Sequence, residues 1–230
     1  MSIYISKKIQ KNLNRQKILT TIKRNTFLKG ENMKNTELSL DKVLKIRTTG
    51  RDDSHADQFH YPYEPTPYAV LERLANSGYI GKKNTLIDYG CGKGRVDFYL
   101  SWQIRCRAIG VEYDERIYKT AVENRQTAIS AGKTEFVLGD ARVYEVPVEA
   151  DCFYFFNPFS VEILRGVLRR IEESYYERPR EMLLFFYYPS EEYISCLMQE
   201  DNLEFVDEIN CSDLFGGNDK RESILVFAKL

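Results

Sequence analysis

From residue 60 onward, short apolar runs alternate with longer stretches in which apolar residues recur every three or four positions. The runs "NTLIDYG" (84 to 90), "CRAIGVEY" (106 to 113), "TEFVLGD" (134 to 140), "DCFYFFNPFS" (151 to 160) and "EMLLFFYYP" (181 to 189) predict five strands. Between them, "RVDFYLSWQI" (95 to 104) and "SEEYISCLMQE" (190 to 200) predict helices. "DERIYKTAVENRQTAISAG" predicts a helix with Ile117, Ala121, Val122, Ala128 and Ile129 on one face and Gly132 as its stop. "SVEILRGVLRRIEESYYERP" (160 to 179) predicts a helix capped by Ser160, with Ile163, Val167, Leu168 and Ile171 as its buried stripe and Pro179 as its end. Strands alternating with helices predict an α/β fold around a parallel sheet. The last two runs, "LEFVDEIN" and "ESILVFAKL", flank the turn chemistry of "CSDLFGGNDKR" and predict a terminal antiparallel hairpin.

Charge changes the picture at the N-terminus. The chain has 230 residues, enough for one sizeable domain with an appendage, and a net charge of −1. Residues 1 to 50 hold 12 Lys/Arg against 3 Asp/Glu, whereas the remainder holds 21 against 31. A basic arm over 1 to 50 and a single acidic domain over 51 to 230 are therefore expected. The arm, with Ile5, Ile9 and Leu13 at helical spacing, suits a loosely ordered tail, a transit peptide or a nucleic-acid contact. Codons for Lys29-Gly30-Glu31 can spell a purine-rich ribosome-binding site just ahead of Met33, so residues 1 to 32 are also expected to be a leader, with translation starting at Met33. The five scattered cysteines form no C-x-x-C pair and argue against a disulfide framework or zinc site. No apolar run reaches the length of a membrane span, and a reducing, cytoplasmic location is expected.

The candidate chemistry lies at strand ends. "DYGCGKG" (88 to 94) joins a strand to a helix, where Gly90, Gly92 and Gly94 let the backbone approach a ligand and the helix N-terminus adds exposed N–H groups. The spacing is G-x-G-x-G rather than that of dinucleotide folds, and the preceding Asp88 suits a cationic ligand. Glu112 ends the second strand, where a carboxylate accepts from two ribose hydroxyls. Asp140 and Ala141 end the third, with an acceptor for an adenine amino group and an N–H for its ring. The fourth strand breaks at Asn157-Pro158, which by itself reads equally as a turn.

Together these segments resemble the core of class I S-adenosylmethionine-dependent methyltransferases: "LIDYGCGKG", "GVEYD", "LGDA" and "NPF" are similar to that family's successive motifs, and the likeness extends over about residues 62 to 230. The resemblance implies a three-layer, Rossmann-like sandwich on a mostly parallel seven-stranded sheet. It implies S-adenosyl-L-methionine as cofactor, held by Asp88, Tyr89, Gly90, Gly92, Gly94, Glu112, Tyr113, Asp140, Ala141 and Asn157. Asn157-Pro158-Phe159 resembles a shortened Asn-Pro-Pro-Tyr/Phe motif of amino-group methyltransferases, lacking the second proline, and implies a catalytic role for all three. "GCGKGR" and "YEPTPYAVLERL" (63 to 74) resemble segments of non-SET protein lysine methyltransferases, which implies Thr66 near the cofactor and Tyr63 closing over it. The implied acceptor is an amino nitrogen. The acidic body favours a protein side chain over a nucleic-acid base, with a small molecule or a non-catalytic binding module as alternatives.

Other signals carry less. "RDDSHADQFH" gathers Asp52, Asp53, His55, Asp57 and His60 but reads as a polar loop rather than a metal site. Cys91 reads as a packing group, and Tyr187 and Tyr188 read as core, rim or substrate-pocket residues.

Overall fold

The apolar runs at the centre of the sheet become strands whose two faces are both covered. In β1 (Thr85–Tyr89), Leu86 joins one core and Ile87 and Tyr89 the other; in β4 (Cys152–Phe155), Cys152 and Tyr154 face one way, Phe153 and Phe155 the other. Both strands are buried throughout, which is why they read as unbroken hydrophobic stretches. The computed structural model describes residues 33–54, 58–217 and 219–230, so the readings placed on residues 1 to 32 and on His55 and Asp57 lie outside it.

With β2 (Arg107–Glu112), β3 (Thr134–Leu138), β5 (Leu183–Tyr187), β6 (Leu203–Asn210) and β7 (Ser223–Lys229), these strands form one seven-stranded sheet of order β3-β2-β1-β4-β5-β7-β6. The first five are parallel to their neighbours, and β7 runs antiparallel to both β5 and β6. The order reverses between β1 and β4, where crevices open beyond the carboxyl ends of strands. Helices α1 (Met33–Leu44), α2 (Tyr68–Asn76) and α3 (Arg95–Gln103) contribute to one core, and α5 (Val161–Glu177) and α6 (Glu191–Leu197) to the other. Helix α4 (Glu115–Thr127) connects β2 to β3 and is capped by Asp114, whose side chain accepts from the N–H groups of Arg116 and Ile117. All five cysteines are buried and unpaired, and no helix among the described residues is long and apolar enough to cross a membrane.

Three sequence expectations need correction. The boundary at residue 50 does not hold: Leu40, Leu44 and Ile46 are core residues, and Asp41 and Thr48 are buried beside them. Helix α4 ends at Thr127 rather than at Gly132, which lies in a following 3₁₀ turn. Its buried stripe is Ile117, Ala121 and Asn124, leaving Val122 and Ile129 exposed. Asn124 causes that rotation, because its amide accepts from the Arg47 N–H at 2.8 Å and donates to the Arg47 and Lys93 carbonyls. Ser160 stands at the N-cap of α5, yet its hydroxyl makes no cap bond; its backbone N–H instead donates to the Phe59 carbonyl at 2.8 Å.

Candidate active site

At the reversal of strand order lies a cleft of about 700 Å³. Of the residues picked from sequence, Tyr63, Thr66, Asp88, Gly90, Glu112, Tyr113, Asp140, Ala141, Pro158 and Phe159 line it. Tyr89, Gly92, Gly94 and Asn157 do not. Tyr89 points into the core of α5, with its ring stacked on Phe155 at 5.1 Å between centroids.

The turn after β1 is shaped by protein packing. Gly90 and Gly92 hold φ of 70° and 58°, and a Cβ would collide with Pro158 at the first and with the Tyr63 ring at the second. Gly94 packs against Phe136 and Phe98. The glycines therefore admit the β4 turn and Tyr63 onto the loop, and Gly90 also lines the cleft. Glu112 fastens the loop from the other side: its carboxylate accepts from the N–H groups of Gly92 at 2.8 Å, Tyr113 at 2.8 Å and Asp114 at 2.9 Å. Burial raises this carboxyl and the three amides pull it back down.

Asp140 differs from expectation. Arg142 donates to its carboxylate from the backbone and from the guanidinium, lowering its pKa, so the group pictured on an adenine amine already holds a cation.

A strap crosses the cleft, of which the sequence picked out only Tyr63 and Thr66 as site residues. Asp52 and Tyr63 exchange backbone hydrogen bonds of 3.0 Å, the Tyr61 N–H donates to the Pro158 carbonyl at 3.3 Å, and Arg116 donates to Asp52 and Ser54. His60 stacks on Tyr113 at 4.1 Å, on a ring otherwise largely exposed. The density of rings and prolines in "FHYPYEPTPY" was the available signal. Within the strap, the Tyr63 hydroxyl donates to the Thr48 carbonyl at 2.6 Å, and Thr66 pairs with the Tyr154 hydroxyl at 3.0 Å.

Beneath the turn sits Arg95, the first residue of α3 and 3% exposed. It ion-pairs with Glu37, lies 3.7 Å from Asp41, donates to Thr48 at 2.8 Å and Thr49 at 3.0 Å, and stacks on Tyr68. Arg95 thus binds residues 37 to 49 to the loop.

Beside it, Asp88 and Asp97 are buried together. Asp88 Oδ2 and both Asp97 oxygens have no hydrogen-bond partner unless the two carboxyls share a proton. Burial pushes Asp88 up to about 8 and Asp97 well above the carboxylate range, with Asp88 adding to the second shift. A carboxyl raised in the fold stabilises it at low pH and loses that contribution as pH rises, here between about 4 and about 8. Asp97→Asn replaces the shared proton with an N–H that does not titrate. It is expected to raise Tm at pH 8 by about 2–4 °C, a gain of ~1 kcal/mol, and by less at pH 5. Thermal unfolding of both proteins across that range checks this; parallel Tm profiles would remove the shared proton.

A second cavity, about 430 Å³, adjoins the cleft and shares Tyr61, Pro62, Glu64, Pro65 and Phe156 with it. Asn157 lines this cavity with Tyr187 and Tyr188. Its backbone is left-handed, φ 39°; its amide donates to the Tyr188 carbonyl at 2.5 Å, and its oxygen accepts from the Ser190 N–H at 3.3 Å. The side chain therefore braces the ends of β4 and β5, and its oxygen already has a partner. Phe159 is 4% exposed, edge-on to Phe155, so its ring is chiefly core rather than a substrate platform. Cys91 packs against Gly110, and burial keeps its thiol well above its usual range. Among the described residues no cluster of His, Cys, Asp and Glu could hold a metal ion.

No protein-family profile matches the chain. A protein-lysine N-methyltransferase of Saccharolobus islandicus is 28% identical over 82 residues, 35% of this chain and 51% of that protein, so the chain spans about half the relative's length. An inferred RNA methyltransferase of Pyrococcus horikoshii superposes with a TM-score of 0.55 at 16% identity, over 84% of this chain and 97% of the other. The mitomycin 7-O-methyltransferase MmcR gives 0.54 at 15% identity, over 70% and 53%. A TehB-like S-adenosylmethionine-dependent methyltransferase of Corynebacterium glutamicum gives 0.52 at 18% identity, over 70% and 88%. With this strand order, a cleft at its reversal and these likenesses, the chain has the class I fold of the S-adenosylmethionine-dependent methyltransferases.

Proposed function

We propose that the chain is an S-adenosylmethionine-dependent methyltransferase acting on an amino nitrogen, and that the acceptor is a protein side chain. The observation that carries this reading is the pairing of two adjoining cavities, one walled by Asp88 and Glu112 and the other by Asn157. The donor set fits the cofactor. Asp88 stands in the cleft wall, where a bound cation would favour its ionised form, and Glu112 keeps an acceptor site beyond its three amide bonds for a hydroxyl. Tyr63, Thr66, Gly90, Tyr113, Asp140, Ala141 and Pro158 complete the walls that would hold it. When bound, the cofactor supplies a methyl group on a sulfonium, reactive without a metal. The strap of residues 58 to 64 covers the cleft and limits water. Asn157 and the Pro158 carbonyl stand at the junction of the cavities, where they would orient the acceptor. Support for the protein acceptor comes from the lysine methyltransferase relative and from the acidic balance after residue 50. Five buried, unpaired cysteines favour the reducing cytoplasm.

The testing experiment is incubation with methyl-labelled cofactor and fractionated cell extract. Label is expected in protein; label in RNA, DNA or small molecules would move the acceptor, and no label anywhere would favour a non-catalytic binder. Glu112→Ala is expected to weaken S-adenosylhomocysteine binding by about 1–3 kcal/mol, the scale of lost charged hydrogen bonds. Calorimetry checks it. Unchanged affinity would remove Glu112 from the site, and binding of NAD instead would overturn the cofactor assignment.

A further inference from the structure

We propose that the second cavity receives a lysine side chain, and that Glu222 selects it as the counter-charge to the lysine ammonium. The inference rests on methyl transfer from the adjoining cleft, and it assigns a residue outside every motif that suggested that function. Glu222 stands at the root of β7 rather than at a loop tip. Its carbonyl accepts from the Cys211 N–H at 2.7 Å, and the next residue, Ser223, accepts from the Tyr188 N–H at 2.9 Å. The Tyr187 hydroxyl donates to Glu222 Oε2 at 2.7 Å, fixing the carboxylate in the cavity wall.

The other charges around the cavity are already matched. Glu64 pairs with Arg51 at 2.9 Å, and Arg51 also holds Asp53 at 2.8 Å. Arg221 is turned onto the Tyr188 ring and lies 3.4 Å from Asp219. Glu222 has no ion-pair partner among the described residues. Half-buried, it shares the cavity wall with Tyr61, Phe156 and Phe215, and a carboxylate set among aromatic rings suits a cation. A primary ammonium on a slender aliphatic stem suits both the carboxylate and the rings. The stem would run past the rings and prolines of the wall shared with the cleft, and the charged end would meet Glu222. A nucleobase would use the rings for stacking but has no positive charge for the carboxylate.

Ligand-observed NMR on the full chain saturated with S-adenosylhomocysteine tests this, with Nα-acetyl-lysine amide, its uncharged analogue Nα-acetyl-norleucine amide, and adenosine as probes. The lysine probe is expected to bind about 10-fold more tightly than the norleucine probe. Glu222→Gln keeps an acceptor for the Tyr187 hydroxyl, so Tm and S-adenosylhomocysteine affinity are expected to hold while the lysine preference disappears. Equal binding of the two probes to the wild type, tighter binding of adenosine, or a preference that survives in Glu222→Gln would each overturn the proposal. The wild-type comparison decides without the variant. Failure of S-adenosylhomocysteine itself to bind would instead strike the methyltransferase reading, and this proposal with it.

Discussion

Replacing Arg95 with alanine is expected to cost the fold about 3–5 kcal/mol, the scale of breaking a buried charge pair by removing one partner. The guanidinium is 3% exposed, and its loss strands Glu37 and Asp41 in the interior. Burial already raises the Glu37 carboxyl against the pull of Arg95, so without the arginine it is left protonated or poorly solvated. Asp41 organises a further set of bonds, accepting from the Thr48 N–H and hydroxyl at 2.6 Å, the Thr49 N–H at 3.0 Å and the Tyr68 hydroxyl at 2.6 Å. These tie α1 and the segment after it to α2, and through Arg95 to the loop that ends in Gly94. Arg95→Lys keeps the charge but not the planar fork that reaches Thr48 and Thr49 together, so an intermediate loss is expected. Urea unfolding monitored by circular dichroism gives the measurement, with calorimetry of S-adenosylhomocysteine as companion. A loss below about 1 kcal/mol in Arg95→Ala would show that the network is a surface-like pairing despite its burial.

The same network shows where sequence legibility ended. The central strands β1 and β4 were readable because burial on both faces leaves an unbroken apolar run, and the strand-end acids Asp88, Glu112 and Asp140 were readable because strand ends are where polar groups meet a cleft. Arg95 and Glu37 are 58 positions apart, and a pair at that separation leaves no periodic trace. Counting charge over residues 1 to 50 gave a basic arm, yet Glu37 and Asp41 are two of its three acids and anchor residues 37 to 49 in the body. Asn124 misled in a similar way: a polar residue at a core position looks like the edge of a helical stripe until its partners on a distant segment are seen. The packing demand on the glycines left no mark in the sequence, since Pro158 and Tyr63, which stand where the Cβ atoms of Gly90 and Gly92 would be, lie in other segments.

Asn157 carries the last prediction, because two roles now compete for one amide. Asn157→Ala is expected to lower turnover by about 10²-fold if its oxygen aligns the acceptor nitrogen. It should also cost ~1 kcal/mol of stability for the lost hydrogen bond to Tyr188. The left-handed backbone at φ 39° adds a penalty for alanine that glycine does not bear. Asn157→Gly therefore separates the roles, since it removes the amide but relieves the backbone. Asn157→Asp is expected to be the worst tolerated of the three for folding. A carboxylate oxygen would take the place of the N–H donor 2.5 Å from the Tyr188 carbonyl, so acceptor faces acceptor. Turnover with the acceptor identified by label transfer, measured beside Tm, decides the matter. Stability recovered in Asn157→Gly with turnover still about 10²-fold down assigns the amide to orienting the acceptor. Wild-type turnover in Asn157→Gly and Asn157→Ala would leave Asn157 as the brace between β4 and β5, and the alignment of the acceptor would then fall to the Pro158 carbonyl and the walls of the second cavity.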